Sequence, residues 1–221
     1  MIYFIFAPMK VHQFTFSPFQ ENTYILTESN KCLIIDPGCY DQTERNILFN
    51  FIKQKDLEPL AIVNTHCHID HVFGVKAVVD EYQIPFLCDS RDMDNLKRSA
   101  NMASQYGLDF DEAPEPNAFL DELKNYSFGP GLLELRFTPG HAPGHQCFVN
   151  HDEKWVIAGD TLFQLSIGRT DLPGGNHQEL LNSIKRELFS LPDDYQVFSG
   201  HGASTNIGFE KKHNPFMKGW D

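Results

Sequence analysis

The sequence predicts an α/β protein built as a four-layer α/β/β/α sandwich, two mixed sheets flanked by helices. Three observations predict it. Apolar runs of strand length and segments of helical period follow one another as strands, helix, strand, helix, then strands, helix, strand. Several of the apolar runs stop at a glycine or a polar turn. Between one such run and the helix after it lies Thr65-His66-Cys67-His68-Ile69-Asp70-His71, three imidazoles and a carboxylate within six positions. Imidazole nitrogen and carboxylate oxygen are donors for zinc and related borderline metals. A strand's C-terminal edge is where open α/β sheets place their sites.

The elements follow in order. Residues 11–16, 22–27 and 31–36 alternate polar and apolar, with the turn Glu28-Ser29-Asn30 between the last two, and read as an antiparallel meander. Asp36-Pro37-Gly38 ends the third strand. Residues 43–55 put Ile47, Leu48, Phe51 and Ile52 on one helical stripe, with Asp41 or Thr43 as cap. Residues 60–64 read as a short buried strand and 72–82 as a helix, clearest from Val75 on. Residues 85–88 are a strand, and 90–106 a rather polar helix capped by Asp89 or Ser90. Residues 107–131, rich in Pro, Gly, Asp and Glu, read as a surface excursion. Strands at 132–138, 146–150 and 155–158, a helix at 178–189 and a strand at 195–199 complete the set. No solenoid-period repeat and no linker divides the chain, so residues 1–221 are expected as one domain.

Composition narrows the function classes. Lys plus Arg number 18 against 30 Asp plus Glu, a formal charge of −12, which argues against nucleic-acid binding. The odd set Cys32, Cys39, Cys67, Cys88 and Cys147, with no C-x-x-C, is a poor disulfide framework and fits a reducing compartment. In extended chain Cys67 faces away from His66 and His68, so it is expected to pack rather than ligate. The apolar residues 1–8 lack a basic flank and are too short for a signal segment or a membrane span. They read as an extra β-segment or as a start ambiguity, with Met9-Lys10 as a second start. The expected location is cytoplasmic, with no membrane partner, and nothing signals an oligomeric state.

Three further turns repeat the pattern of an apolar strand followed by a ligand-type residue beside glycine: His141 in Thr138-Pro139-Gly140-His141, Asp160 in Gly159-Asp160-Thr161, and His201 in Ser199-Gly200-His201-Gly202. Any one of these is a weak signal, but four strand ends delivering such residues make a joint case. His66, His68, His71, His141 and His201 supply nitrogens; Asp70 and Asp160 supply oxygens. That set exceeds what one tetrahedral zinc takes and suits two metals sharing a carboxylate and a hydroxide.

With T-H-C-H-I-D-H at 65–71, T-P-G-H-A-P-G-H at 138–145, G-D-T-L-F at 159–163, G-R-T-D-L-P-G-G at 168–175 and S-G-H-G at 199–202, the chain resembles the metallo-β-lactamase fold superfamily. Within it the chain resembles the glyoxalase II (hydroxyacylglutathione hydrolase) group. The ending G-F-E-K-K-H-N-P-F at 208–216 is similar to that of short bacterial members. The resemblance implies His66, His68 and His141 on a first metal, Asp70, His71 and His201 on a second, and Asp160 bridging. The ions are expected to be zinc, with iron or manganese as alternatives. His71 and Asp160 set the chain apart from many true β-lactamases of the fold. Full-length glyoxalase II enzymes carry a C-terminal helical region whose basic residues grip glutathione. Here only Lys211, Lys212 and Lys218 lie late, and no such separate domain is expected.

The implied reaction is attack of a metal-held hydroxide on the carbonyl of a small-molecule thioester, such as S-lactoylglutathione or a relative with another thiol. Asp70 would orient the hydroxide and handle its proton. The alternatives are a mononuclear iron persulfide dioxygenase of the same fold and, lower, a lactone or phosphodiester hydrolase or a non-catalytic metal module. His145 is either a partner that orients a ligand or a packed loop histidine. Arg169 and Asp171 are expected to pair and brace their loop. Asn22 and Tyr24 either line the cleft or serve only as strand residues. His12, His151, His177 and His213 are expected to be surface or structural.

Overall fold

Side-chain alternation along the first strands sorts the chain into layers. The computed structural model describes residues 8–121, 123–129 and 131–219, so all but Pro8 of the N-terminal segment 1–8 lies outside the described residues. Strands β1 (Lys10–Phe16), β2 (Glu21–Glu28) and β3 (Lys31–Ile35) form the antiparallel meander. Leu26, Leu33 and Ile35 point to one side, Ile25, Cys32 and Ile34 to the other. Helix α1 (Gln42–Gln54) starts at Asp41, whose carboxylate accepts the Glu44 N–H at 2.9 Å, and buries Leu48 and Ile52. Strand β4 (Glu58–Val63) returns parallel to β3. A 3₁₀ turn (Ile69–His71), α2 (Val75–Tyr82), β5 (Phe86–Cys88), α3 (Met93–Gln105) and β6 (Ala118–Phe119) complete a six-stranded sheet in chain order.

The second sheet takes β7 (Asn125–Phe128), β8 (Gly131–Phe137), β9 (Gln146–Asn150) and β10 (Trp155–Gly159) as an antiparallel run. A hairpin of β11 (Leu162–Phe163) and β12 (Ser166–Ile167) precedes α4 (His177–Ser183), which continues as a π turn over Ile184–Leu188. Strand β13 (Gln196–Ser199) lies parallel to β10, and β14 (Thr205–Asn206) and α5 (Ile207–His213) follow. The order is β14-β13-β10-β9-β8-β7.

One apolar cluster lies between the sheets, joining Leu26, Leu33 and Val63 to Leu133, Phe148 and Ile157. A second packs α1 and α2 on the outer face of the first sheet, a third packs α4 on the outer face of the other. These are the four expected layers. No helix among the described residues is long and apolar enough to cross a membrane.

Four details differ from the expectation, the first being that the two-residue strands β11, β12 and β14 went unread. The helix read over 72–82 begins at Val75. The Gly74 N–H donates to Pro37 O at 2.7 Å, and a Cβ on Gly74 would lie 2.3 Å from Cys39 Sγ, so residues 72–74 are wedged against the 37–39 loop. The excursion 107–131 supplies an edge strand to each sheet, β6 and β7, of two and four residues. A strand of two residues is below the length at which alternation registers, and one of four is only at its lower limit. Helix α5 went unread, although Asn206 caps it by accepting the Phe209 N–H at 2.8 Å.

Candidate metal centre

All seven predicted residues converge where β4, β8, β10 and β13 end. The 65–71 segment is fixed first. Asp36, at the end of β3, accepts the Thr65 N–H at 2.7 Å and the Thr65 hydroxyl at 2.6 Å. The same hydroxyl lies 3.0 Å from His66 Nδ1, which leaves His66 Nε2 facing His141 Nε2 at 3.2 Å. His68 Nδ1 is 2.8 Å from that nitrogen too. His141 donates its other ring N–H to Arg169 O at 2.7 Å, so Nε2 carries the free lone pair. Cys67 faces away as expected, buried in the outer cluster, its N–H donating to Asp92.

The second group forms opposite. His201 Nε2 lies 3.1 Å from Asp70 Oδ2, and His71 Nε2 lies 3.8 Å from the same oxygen. His201 Nδ1 is turned to the carbonyls of Phe19 and Gln20, at 3.1 and 3.2 Å. His71 Nδ1 is 3.1 Å from Asp36 Oδ2. Asp160 sits between the groups: Oδ1 is 3.5 Å from His71 Nε2, and Oδ2 is 3.5 Å from His141 Nε2 and 3.6 Å from His201 Nε2. Gly200 permits this approach, since a Cβ there would be 2.1 Å from Asp160 Oδ1.

The residues fit divalent cations. In each of the triads His66/His68/His141 and Asp70/His71/His201 the donor atoms lie within 4.8 Å of one another. His71 Nε2 and Asp160 Oδ1 are buried with no hydrogen-bond partner, an arrangement that proteins otherwise avoid and that a cation between them would satisfy. Asp36, His66 and His71 also cluster, but Asp36 is engaged by Thr65 and acts as a brace.

Charge divides the groups. Burial, with the surrounding imidazoles adding to it, holds His66 well below the ordinary histidine range, and burial with His141 brings His68 down to about 3. Both are neutral and ready to ligate. Burial also disfavours charge on His71, but Asp70, Asp160 and Asp36 outweigh it and hold its pKa well above the ordinary value. His201 is raised likewise, burial being overcome by Asp70 and Asp160. Burial opposes ionisation of Asp160, yet His71, His141 and His201 hold its carboxyl below the usual range.

The open alternatives resolve. His145 is the orienting kind: its Nε2 accepts the Asp160 N–H at 3.0 Å, and its Nδ1 meets the Thr138 and Thr161 hydroxyls at 2.9 and 3.1 Å. Arg169 and Asp171 form a forked pair at 2.7 and 2.7 Å. Asn22 and Tyr24 are not among the cavity-lining residues but do more than hold a strand. Asn22 Nδ2 donates to Ser199 O at 3.0 Å and Gly202 O at 2.9 Å, and the Tyr24 hydroxyl donates to Ser199 O at 2.6 Å, which pins the turn carrying His201. His12 pairs with Thr27 and His151 with Tyr195, His213 packs on Phe209, and His177 is an exposed first residue of α4.

A cavity of about 380 Å³ opens over the centre, floored by Asp70, Asp160 and His201. One wall is a face of α3 carrying Asn95, Arg98, Ser99 and Met102, with Tyr106 at its C-cap; Phe163 and Ile167 of the hairpin also line the cavity. Sequence reasoning missed this wall and Asp36. The spacing 95, 98, 99, 102, 106 is a helix face. Asp36 obeys the same strand-end rule that singled out Asp160.

The profile described as the metallo-beta-lactamase superfamily matches residues 16–201. The chain is 38% identical to a protein of Bacillus subtilis named probable metallo-hydrolase YqgX, over 96% of this chain and 99% of that one. It is 34% identical to the hydroxyacylglutathione hydrolase GloC of Haemophilus influenzae, over 95% and 98%. Among solved structures, the BLEG-1 B3 metallo-beta-lactamase superposes with a TM-score of 0.88 at 37% identity, covering 95% of this chain and 100% of that one. TTHA1623 in a di-iron-bound form gives 0.85 at 36%, covering 93% and 100%. The match over most of the length, and a strand-end histidine and aspartate centre suited to divalent metals, establish that the chain belongs to the metallo-beta-lactamase superfamily.

Proposed function

We propose that the chain is a dinuclear metal-dependent hydrolase that cleaves acyl thioesters such as S-lactoylglutathione to an acid and a free thiol. His66, His68 and His141 would hold one ion and Asp70, His71 and His201 the other, with Asp160 shared. The observation that carries this is Asp160, whose two oxygens each lie 3.5 Å from a nitrogen of a different group. Zinc is the first candidate, and the di-iron form of TTHA1623 supports iron as the alternative. Divalent ions bound there supply Lewis-acid polarisation of a carbonyl and a water acidic enough to ionise near pH 7.

The chain's own groups do the rest. Asp70, at the cavity floor, is held in its ionised form, His71 and His201 outweighing burial, so it can orient a water and accept its proton. Ile69, Met102, Phe163, Ile167 and Leu172 give the cavity apolar walls that receive an acyl chain and a polarisable sulfur and keep bulk water out. The GloC relative supports the thioester class. The complete second group favours this reading over a mononuclear iron persulfide dioxygenase.

Elemental analysis of protein purified without added metal, followed by thioester, lactone, β-lactam and persulfide assays on the same sample, tests the proposal. Two ions per chain and thiol release are expected. One iron with oxygen uptake on a persulfide, or opening of a β-lactam ring alone, overturns it.

A further inference from the structure

Two guanidinium groups line the cavity, and they differ in one respect. Arg169 is forked onto Asp171 through two bonds of 2.7 Å, so its charge is answered within the chain. Arg98 has no hydrogen bond or ion pair among the described residues. It is exposed at the cavity wall on α3, one turn from Asn95 and Met102, which line the same wall. Among the described residues no lysine lines the cavity. The protein as a whole carries a formal charge of −12, which repels an anionic ligand except where a local cation receives it. A planar, permanently charged fork on the cavity wall, with no carboxylate of the chain answering it, is matched to a carboxylate.

We infer that Arg98 receives a carboxylate on the thiol half of the substrate, so that the preferred substrates are thioesters of carboxylate-bearing thiols. This rests on the hydrolase reading above. In that arrangement the acyl carbon lies at the Asp70–Asp160 floor and the thiol half runs along the α3 wall toward Arg98. Arg98 sets specificity; it takes no part in bond cleavage.

The test compares S-lactoylglutathione with its diethyl ester as substrates of the metal-replete wild type, Arg98→Ala and Arg98→Lys. The expected result is a KM raised about tenfold for the free acid in Arg98→Ala, the loss of one charge-assisted contact. kcat should stay within about twofold, the diethyl ester should be unaffected, and Arg98→Lys should recover part of the loss. Equal KM changes for acid and ester, or no change for the acid, overturn the assignment. A second readout needs no turnover: calorimetric binding of an S-alkyl glutathione thioether and its diethyl ester to the same three proteins. If no thioester is cleaved, the hydrolase reading fails, and the thioether titration still decides Arg98. Selective weakening of the acid in Arg98→Ala supports it, and identical affinities for wild type and variant overturn it.

Discussion

The two groups of ligand side chains are built from the same residue types but are backed by different chemistry. Behind His66 and His141 stand neutral acceptors, the Thr65 hydroxyl and the Arg169 carbonyl. Behind His71 stand carboxyl groups, Asp36 at 3.1 Å and Glu21 at 3.9 Å, and the group contains Asp70 besides. The first group holds its histidines by hydrogen bonds to neutral groups, with His66 and His68 kept neutral by burial. The second is an acid-rich set in which histidine retains a proton until a cation displaces it. The lesson is that two ions, bound as proposed, would not be held alike: one site would depend on geometry, the other on charge.

Asp160 is where the contrast should vanish. Asp160→Asn removes the shared carboxylate while keeping the shape, and should cut hydrolysis by about 10³-fold or more, the scale of losing a group that stabilises charge in the transition state. Elemental analysis should find less than one ion per chain; retention of two would break the bridging assignment. Next come the one-sided variants. His141→Ala and His201→Ala should each leave about one ion per chain, from opposite groups, and if either loses both ions the groups are not separable.

Acid should separate the groups without mutation. A metal takes only neutral imidazole, so a proton on the ring competes with it. His71 and His201 bind protons at higher pH than free histidine, so their ion should leave first as pH falls, its affinity dropping about tenfold per pH unit for each ring that protonates. His66 and His68 are depressed, His68 to about 3, so the first group should keep its ion to lower pH. Dialysis across a pH series followed by metal analysis reads this as two steps, and one merged step would count against the contrast. The smallest effect is expected from Asn22→Ala. It frees the Ser199 and Gly202 carbonyls that hold the His201 turn, and should weaken only the second ion, by about tenfold. Competition with a graded chelator measures it.

The sequence made the candidate ligands legible because each follows an apolar strand and sits beside a turn, so a single local rule found His141, Asp160 and His201 as well as the 65–71 run. The layers were legible for the same reason, since Leu33, Ile34 and Ile35 alternate between two cores as the strand pattern requires. What stayed hidden depends on tertiary contact. The polar residues of α3 read as a solvent face, because nothing local says that Asn95 and Arg98 look into a cavity rather than out to water. Asn22 and Tyr24 reach a turn more than 170 positions away, a partnership no sequence window contains.

The cavity wall and the candidate ligands come from separate parts of the chain, the wall from α3 together with the 163–173 stretch and the ligands from strand ends. Substitutions along that one helical face can therefore redirect which molecules are accepted while the reacting apparatus is inherited unchanged. Five positions, 95, 98, 99, 102 and 106, carry that face, and exchanging them is the direct way to transplant a preference.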